Sequence, residues 1–473
     1  MAKAVSPEPE GSAQAEPVVE AVEVQPPRYK SEPADRSRLA EPLTFHFSGR
    51  TVPNRFMKAA MTEQLCTYDP HDATKNGIPT ENIRRVYERW GRGGIGLILS
   101  GDVGISLTNL ESVGDPVVPP GAPLSGPRFD GFVAMARAGQ AHGSLMVAQV
   151  AHPGRLCVFV DSPVSSSAGR VANEGRGDGI YQYPEPHAAT REEIRDIVDG
   201  FGHAAEYLAR AGWDGVELHA AHGFLLAQFL SPRINRRDDE YGGSMENRMR
   251  LVLEIGREVR RRTPPGFVLG VKVNSVEFQD AGFVTAEARA LCRELEREAF
   301  DFVEITGGTY EKILMYHGWR ESTRRREAFF LDFADQIVPA LTGKTKVYVT
   351  GGLRTVGGMV AALDSVDGVG LGRPLCDEWF LCKEILEGKV DGATIPGIPQ
   401  TDFWLFLMAG NRNMRLVGMG AEPAEFWRED VVAELRAGYP DWVANKSTER
   451  ELGHYKLIDQ AYVPAEFTGD SAS

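Results

Sequence analysis

Residues 215–232 read GVELHAAHGFLLAQFLSP. The first five residues form a short run that is typical of a buried β-strand. Two histidines, His219 and His222, mark its end, and an apolar segment with helical spacing comes next. A buried strand followed by a helix is the unit from which parallel sheets are built. This stretch therefore predicts an α/β fold in which both histidines lie where the strand ends.

The same alternation of strand and helix recurs on both sides of this stretch. We predict eight strands, at residues 55–60, 95–100, 145–150, 215–219, 268–273, 302–306, 346–350 and 368–372. Two helix starts are marked by cap residues, Thr190 with Glu193 three residues on, and Ser244. Eight parallel strands that alternate with helices predict a (β/α)8 TIM barrel, whose active site lies at the carboxyl ends of the strands.

Three regions fall outside the repeating pattern. Residues 1–40 are rich in proline and charge, so we expect a disordered or loosely ordered tail before a barrel that spans residues 41–395. Residues 152–189, after the third strand, form a loop long enough to cap the active site. Residues 396–473 predict C-terminal helices that pack on the barrel or on a partner subunit, and the sequence does not choose between these two.

The composition limits the class of protein. The 473 residues are 42% hydrophobic and 25% charged, as in a globular chain with a large core. The net charge is −14 and no stretch concentrates basic residues, which argues against a nucleic acid partner. Neither a signal peptide nor an apolar run that could span a membrane is present, and the five cysteines lack metal-site spacing. We therefore expect a cytoplasmic protein with free thiols; its oligomeric state, a homo-oligomer included, stays open.

Glycines and one arginine follow the last two predicted strands. Gly351 and Gly352 end strand seven, and Gly372 with Arg373 ends strand eight. In TIM barrels these two loops commonly bind phosphate, because glycine lets backbone N–H groups approach the oxygens and arginine adds a bidentate charge. The alternative interpretation is a pair of tight turns with an ion-paired arginine. The pattern favours a ligand that carries a phosphate.

The two histidines at the end of strand four allow three interpretations. Two imidazoles that point into the mouth of a barrel can donate hydrogen bonds to one anionic or carbonyl oxygen. They can also bind a metal, but that needs at least a third ligand, and the nearby acidic residues lie in an arginine-rich turn. A pair of core histidines is the third interpretation. We favour binding of a substrate oxygen and expect no metal.

The motifs around these residues resemble those of the Old Yellow Enzyme family of FMN-dependent NAD(P)H oxidoreductases. H-x-x-H-G-F lies at 219–224, Q-F-L-S-P at 228–232 and N-x-R-x-D-x-Y-G-G-S-x-E-N-R at 235–248. Shorter matches lie at the other predicted strand ends: P-N-R at 53–55, A-M-T at 60–62, S-G at 100–101, Gln149 with H-P-G-R at 152–155, Lys272, and G-G at 307–308. The resemblance covers roughly residues 42–390.

The resemblance implies FMN as cofactor and NAD(P)H as co-substrate. In this family a cation faces the N1–C2=O edge of the flavin, and Lys272 is the matching residue, although many members use arginine. Gln149 matches the amide that pairs with the pyrimidine edge, and Thr62 matches the hydroxyl at flavin O4. The other residues that we expect at the cofactor are Ala60, Met61, Gly101, Gly351, Gly352, Gly372 and Arg373.

The resemblance also implies reduction of the C=C bond of an activated alkene, such as an enone. His219 and His222 would bind the carbonyl or nitro oxygen and stabilise the charge that develops there. Phe224 occupies the position of the usual proton-donor tyrosine and cannot donate. Another tyrosine or water could replace it, or the enzyme could isomerise or oxidise its substrate instead. The tyrosines expected near the substrate are Tyr181, Tyr183 and Tyr310, with Tyr316 as a further candidate proton donor.

Three other functions are weaker interpretations of the same residues. A Schiff-base aldolase would use Lys272 but leaves Gln149, Thr62 and both histidines unexplained. A multidomain flavin and iron–sulfur reductase would need clustered cysteines and a dinucleotide-binding motif. A barrel that serves only for binding would need no flavin. The natural substrate and the choice between NADH and NADPH are not encoded in any motif that we recognise.

Overall fold

The computed structural model describes residues 25–171, 182–277, 281–309, 330–399 and 402–447. Eight parallel strands close into a barrel, which confirms the predicted fold. In chain order they are β1 (Phe56–Lys58), β2 (Leu97–Gly104), β3 (Leu145–Ala151), β4 (Gly215–Ala220), β5 (Val268–Asn274), β6 (Phe302–Thr306), β7 (Lys346–Thr350) and β8 (Gly368–Leu371). Their residues are almost all buried on both faces, as expected for a sheet that is covered outside by helices and filled inside by side chains.

The helices follow the strands as the sequence predicts. The helices of the barrel and its N-terminal segment are Ser37–Ala40, Glu81–Gly91, Pro127–Gln140, Arg191–Arg210, Leu225–Leu230, Met245–Arg248, Arg250–Arg262, Thr285–Arg297, Leu331–Ile337, Val356–Ala362, Pro374–Asp377 and Leu381–Leu386. Thr190 and Glu193 form the predicted capping box, and the Ser244 side chain accepts from the Asn247 N–H. Three further helices lie beyond the barrel: Phe403–Gly418, Glu429–Ala437 and Tyr439–Ser447.

Strand β2 departs from the predicted range of 95–100. It is shifted toward higher numbers because it contains a bulge: Leu99 pairs with Val147, but the next pair is Asp102 with Gln149. Three steps along β2 therefore match two steps along β3, which inserts one extra residue in β2. The bulge places Asp102, instead of Gly101, opposite Gln149.

The N-terminal segment is more ordered than we predicted from its composition. Within residues 25–40, the Tyr29 N–H donates to the Ala393 carbonyl at 2.9 Å, and Arg28 forms an ion pair with Glu378 at 2.6 Å. Leu39 is fully buried in the main core. Backbone pairing and one apolar contact thus offset the cost of ordering this segment, and the expected loose tail is wrong for residues 25–40.

A short hairpin closes the amino-terminal end of the barrel. Its strands, Leu43–Thr44 and Thr51–Val52, pair with each other, and Phe45 between them lies 5.7 Å from the ring of Phe302. Leu43, Phe45 and Val52 belong to a core cluster with residues of the barrel interior. This end is therefore filled, and the opposite end holds the functional residues.

The segments after β3 and β8 cover the carboxyl end of the barrel. The long loop after β3 contains a 3-10 turn, Gly154–Leu156, and a parallel strand pair, Val164–Ser165 with His187–Ala188. Helix Phe403–Gly418 packs on helix Glu81–Gly91 of the barrel, and an ion pair between Arg89 and Glu422 reinforces the contact. The described part of the C-terminal extension thus packs on its own barrel.

Candidate active site

A cavity opens at the carboxyl ends of the barrel strands. The predicted residues that line it are Ala60, Met61, Thr62, Gln149, His219, His222, Phe224, Lys272, Gly351, Gly352, Gly372 and Arg373. They come from six different strand ends, so the barrel geometry brings together residues that are far apart in sequence. Among the described residues, no group of three or more His, Cys, Asp or Glu side chains is arranged to hold a metal ion.

Four predicted residues are not seen at the cavity. The Gly101 N–H donates to Glu63 Oε1 at 2.8 Å, and a Cβ at Gly101 would lie 2.3 Å from Glu63 Oε2. Gly101 thus faces Glu63 and does not line the cavity, and its cofactor contact stays a prediction. Tyr183 is 9% exposed and packs in an apolar cluster, also outside the cavity lining, and its place at the substrate stays a prediction. Tyr181 and Tyr310 lie outside the described residues, as does Tyr316.

A polar cluster lies at one side of the cavity, and we define it as Gln149, Glu217, Lys272 and Glu304. Gln149 and Lys272 line the cavity, and the two glutamates are fully buried. Lys272 Nζ lies 3.2 Å from Glu304 Oε1, and the Gln149 amide donates to Glu217 Oε2 at 2.6 Å. Gln149 lies directly opposite Glu217, and Lys272 lies directly opposite Glu304, so the members of each pair point to the same side of the sheet.

The charges of this cluster compensate one another. Burial alone would lower the pKa of Lys272, but the charges of Glu304 and Glu217 outweigh it, and the pKa is raised. Burial and the nearby Glu304 charge raise the pKa of Glu217 well above its usual range. Lys272 is therefore a cation at neutral pH, and burial favours the protonated form of Glu217.

The two histidines face the same space as neutral rings. Burial, His222 and Lys272 together hold the pKa of His219 well below its usual value. Burial and the charge of Lys272 lower the pKa of His222 to about 3. The Ala221 N–H donates to His219 Nδ1 at 3.4 Å, which assigns the ring proton to Nε2. His219 thus keeps one N–H donor, and near neutrality each ring acts as a dipole and not as a cation.

The backbone of His222 is unusual. Its φ of 57° lies in the left-handed region, which a non-glycine residue rarely adopts. The Asn274 side chain accepts from the His222 N–H at 3.3 Å, and Thr306 Oγ1 lies 3.2 Å from His222 Nε2. These contacts from β5 and β6 hold the ring near His219, with 5.3 Å between the ring centroids. Strain that is held in place by two neighbouring strands is typical of functional sites.

Phe224 is packed against the histidines and does not project freely. It is 1% exposed, and its ring stacks on His219 with 4.1 Å between centroids and an angle of 27°. The ring therefore fixes the plane of the His219 imidazole. Among the residues that the structure describes, no tyrosine lines this cavity.

The opposite side of the cavity is a glycine end, which we define as Gly351, Gly352, Gly372 and Arg373. Gly351 and Gly352 have φ values of 132° and 86°, which other residues adopt only with strain. The Arg373 guanidinium lies over the ring of Phe406 from the C-terminal helix, 4.5 Å from its centroid. Successive glycines and a stacked arginine form a concave surface suited to an anion.

Several lining residues were not predicted. They are Asp102, Thr306, Phe330 and Arg354 from strand ends and loops, together with Phe403 and Leu407 from helix Phe403–Gly418. The strand-end residues could have been found from their positions alone. Phe403 and Leu407 are four residues apart and so lie on one helix face, but no sequence signal shows that this face turns toward the barrel.

Comparison with known proteins agrees with this geometry. The model of the NADH:flavin oxidoreductase / NADH oxidase family matches residues 38–361. The NADH-dependent flavin oxidoreductase nadA of Aspergillus parasiticus is 44% identical over 439 residues, which cover 93% of this chain and 97% of that protein. The NADH-dependent flavin oxidoreductase iccE of Talaromyces variabilis is 35% identical and covers 74% of this chain and 86% of its own.

A solved structure extends the likeness to three dimensions. Morphinone reductase in complex with tetrahydroNAD is 26% identical, with a TM-score of 0.60 over 77% of this chain and 95% of that one. In the described part of this chain, no helix combines the length and the apolar character needed to cross a membrane. The chain therefore belongs to the NADH:flavin oxidoreductase / NADH oxidase family, as an FMN- and NAD(P)H-dependent oxidoreductase of the Old Yellow Enzyme type.

Proposed function

We propose that FMN lies across the cavity, with its pyrimidine edge at the polar cluster and its phosphate at the glycine end. The residues present fit these two parts of the molecule. Gln149 carries both a donor and an acceptor, and Lys272 supplies a cation for an electron-rich edge. At the other end Thr350 Oγ1 is buried without a hydrogen-bond partner among the described residues, which suits a donor to a phosphate oxygen beside Arg373.

We propose further that the substrate is an α,β-unsaturated carbonyl or nitro compound whose C=C bond is reduced. FMN supplies the hydride when it is bound. The observation that carries the proposal is the pair of neutral imidazoles, His219 and His222, on the cavity wall beside the fixed cation Lys272. Neutral N–H donors can bind a carbonyl or nitro oxygen and gain strength as negative charge develops on it.

The surrounding residues keep this donor pair in place. Phe224 stacks on one ring, and Asn274 and Thr306 hold the backbone and ring of the other. Because the donors are fixed before substrate binds, little reorganisation is needed when charge develops. Phe403 and Leu407 close the cavity from the C-terminal helix and favour an apolar substrate body.

The buried Phe224 favours a second candidate, a redox-neutral isomerase. A phenyl ring cannot donate a proton to the α-carbon, and no described tyrosine replaces it. In the reductase the proton comes from water or from one of the tyrosines outside the described residues, Tyr181, Tyr310 or Tyr316. In the isomerase the unprotonated enolate would persist long enough for rotation about its Cα–Cβ single bond, and loss of the hydride from the same carbon would then restore the double bond as the E/Z isomer.

Product analysis tests both candidates. The enzyme is reduced anaerobically with NADH or NADPH and mixed with a panel of enones and nitroalkenes. We expect one saturated product for each NAD(P)H consumed. E/Z isomerisation of the double bond without net consumption of NAD(P)H supports the isomerase instead, and failure of every enone and nitroalkene to reoxidise the flavin contradicts both.

A further inference from the structure

Asp102 is a buried carboxyl group that has no role in the function proposed above. It lines the cavity, is 7% exposed, and pairs in register with Gln149 through the β2 bulge. Its Oδ1 is buried and has no hydrogen-bond partner in the part of the chain that the structure describes. Directly opposite residues of neighbouring strands point to the same side of the sheet, so Asp102 and Gln149 present their side chains to the same region.

The charges around Asp102 determine which form of the acid is present. Burial and the charge of Glu111 raise its pKa well above the usual range, and they outweigh the opposing attraction of Lys272, while Glu63 adds a further increase. An ionised carboxylate that is buried without a partner is costly, whereas a neutral carboxylic acid carries an O–H donor. Asp102 is therefore set up to donate a hydrogen bond.

The pyrimidine edge of a flavin presents one N–H between two carbonyl oxygens. Gln149 already donates to Glu217, which leaves its Oε1 free to accept from the ring N–H. The two carbonyl oxygens need donors, and Lys272 can serve only one of them from its side of the cluster. A donor next to Gln149 on the β2 side would serve the other carbonyl oxygen.

We propose that Asp102 binds FMN directly, as the hydrogen-bond donor to a carbonyl oxygen of the pyrimidine ring beside Gln149. The proposal rests on the orientation of FMN given above. The carbonyl oxygens gain electron density when the flavin is reduced, so a donor there binds reduced FMN more tightly than oxidised FMN. Asp102 then raises the flavin midpoint potential as well as the affinity.

The test compares Asp102→Leu, which removes the donor, with Asp102→Asn, which keeps an N–H donor of similar size. FMN affinity is measured by fluorescence titration of apoprotein, and the midpoint potential by dye equilibration of the reconstituted protein. We expect Asp102→Leu to weaken the binding of oxidised FMN about tenfold and to weaken the binding of reduced FMN by about a further factor of ten. The second factor of ten lowers the two-electron midpoint potential by about 30 mV.

Asp102→Asn should stay within about threefold of wild-type affinity. In the wild type, ionisation of Asp102 at alkaline pH removes the donor, so FMN binding weakens as pH rises. This pH-dependent component of FMN binding should be absent in Asp102→Asn. Glu111→Gln should shift the component to lower pH, because the carboxylate that raises the pKa of Asp102 is gone. If Asp102→Leu does not fold, the pH profiles of wild type and Asp102→Asn decide alone, and identical profiles overturn the proposal.

Gln149→Leu separates this inference from the proposed orientation of FMN. Weaker FMN binding in Gln149→Leu together with wild-type affinity and potential in Asp102→Leu overturns the role of Asp102 only. Wild-type affinity in both variants overturns the orientation of FMN as well. Equal loss in Asp102→Leu and Asp102→Asn means that the site needs only the shape of aspartate, which also overturns the proposal.

Discussion

The polar cluster and the glycine end lie on opposite sides of one cavity and are built in different ways. The polar cluster consists of side chains that project from β3 to β6, where neighbouring strands fix their positions. The glycine end consists of backbone turns after β7 and β8, and a helix from outside the barrel packs on its arginine. Rigid strands thus position the groups that direct chemistry, whereas turns and a covering helix retain the ligand.

If this division is correct, loss of the histidine donors affects catalysis and spares cofactor binding. The variant His219→Ala/His222→Ala should lose at least about 10²- to 10³-fold in the rate of flavin reoxidation by an enone, as for removal of an oxyanion donor. Stopped-flow absorbance measures this rate. The FMN content should stay unchanged, and the charge-transfer bands with phenols should be lost. Unchanged phenol titrations would show that the histidines serve packing alone.

Phe224→Tyr tests whether residue 224, next to the histidines, controls proton delivery to the substrate. A tyrosine here should leave reduction by NAD(P)H unchanged and speed reoxidation by enones up to about 10²-fold, since it adds a general acid. If the native reaction is an isomerisation, the same variant should form saturated product instead. Both half-reactions are followed by stopped flow with product analysis. A wild-type rate and product ratio would mean that residue 224 does not govern protonation.

Arg373→Ala tests the glycine end. Loss of a charge-assisted hydrogen bond worth about 1.5–3 kcal/mol should weaken FMN binding by about 10- to 100-fold. Arg373→Lys keeps the charge but loses the planar fork and the stacking, so it should fall between wild type and Arg373→Ala. Titration of apoprotein gives the affinities, and circular dichroism verifies folding. Full retention of FMN by Arg373→Ala would place the phosphate elsewhere.

The smallest effect is expected from Phe406→Leu on the covering helix. A cation–π contact at a partly exposed site contributes about 0.5–1 kcal/mol, so FMN affinity should fall about two- to fivefold through a less well positioned Arg373. Leu416→Ala, on the same helix but absent from the cavity lining, is the matched control for general loosening of the helix. If the two variants lose FMN equally, the stacking on Arg373 has no separate role.

The same division explains which parts of the site were predictable from sequence. His219 ends a regular strand, so strand periodicity alone placed it at the cavity, whereas Gln149 and Lys272 were identified from the family motifs. The bulge that puts Asp102 and not Gly101 on the cavity lining cannot be seen in the pattern of apolar residues. Tyr183 was selected by residue type, and its packing in an apolar cluster has no local sequence signal. Phe403 and Leu407 depend on how a distant helix docks, which is a tertiary contact without a local sequence signal.

The bulge in β2 shows how little sequence change separates this cavity wall from a different one. Without the extra residue, regular pairing after Leu99 and Val147 would bring Gly101 opposite Gln149. The wall would then present a bare backbone where it now presents a carboxyl group. One extra residue in a strand can thus change which functional group faces a cavity without any substitution.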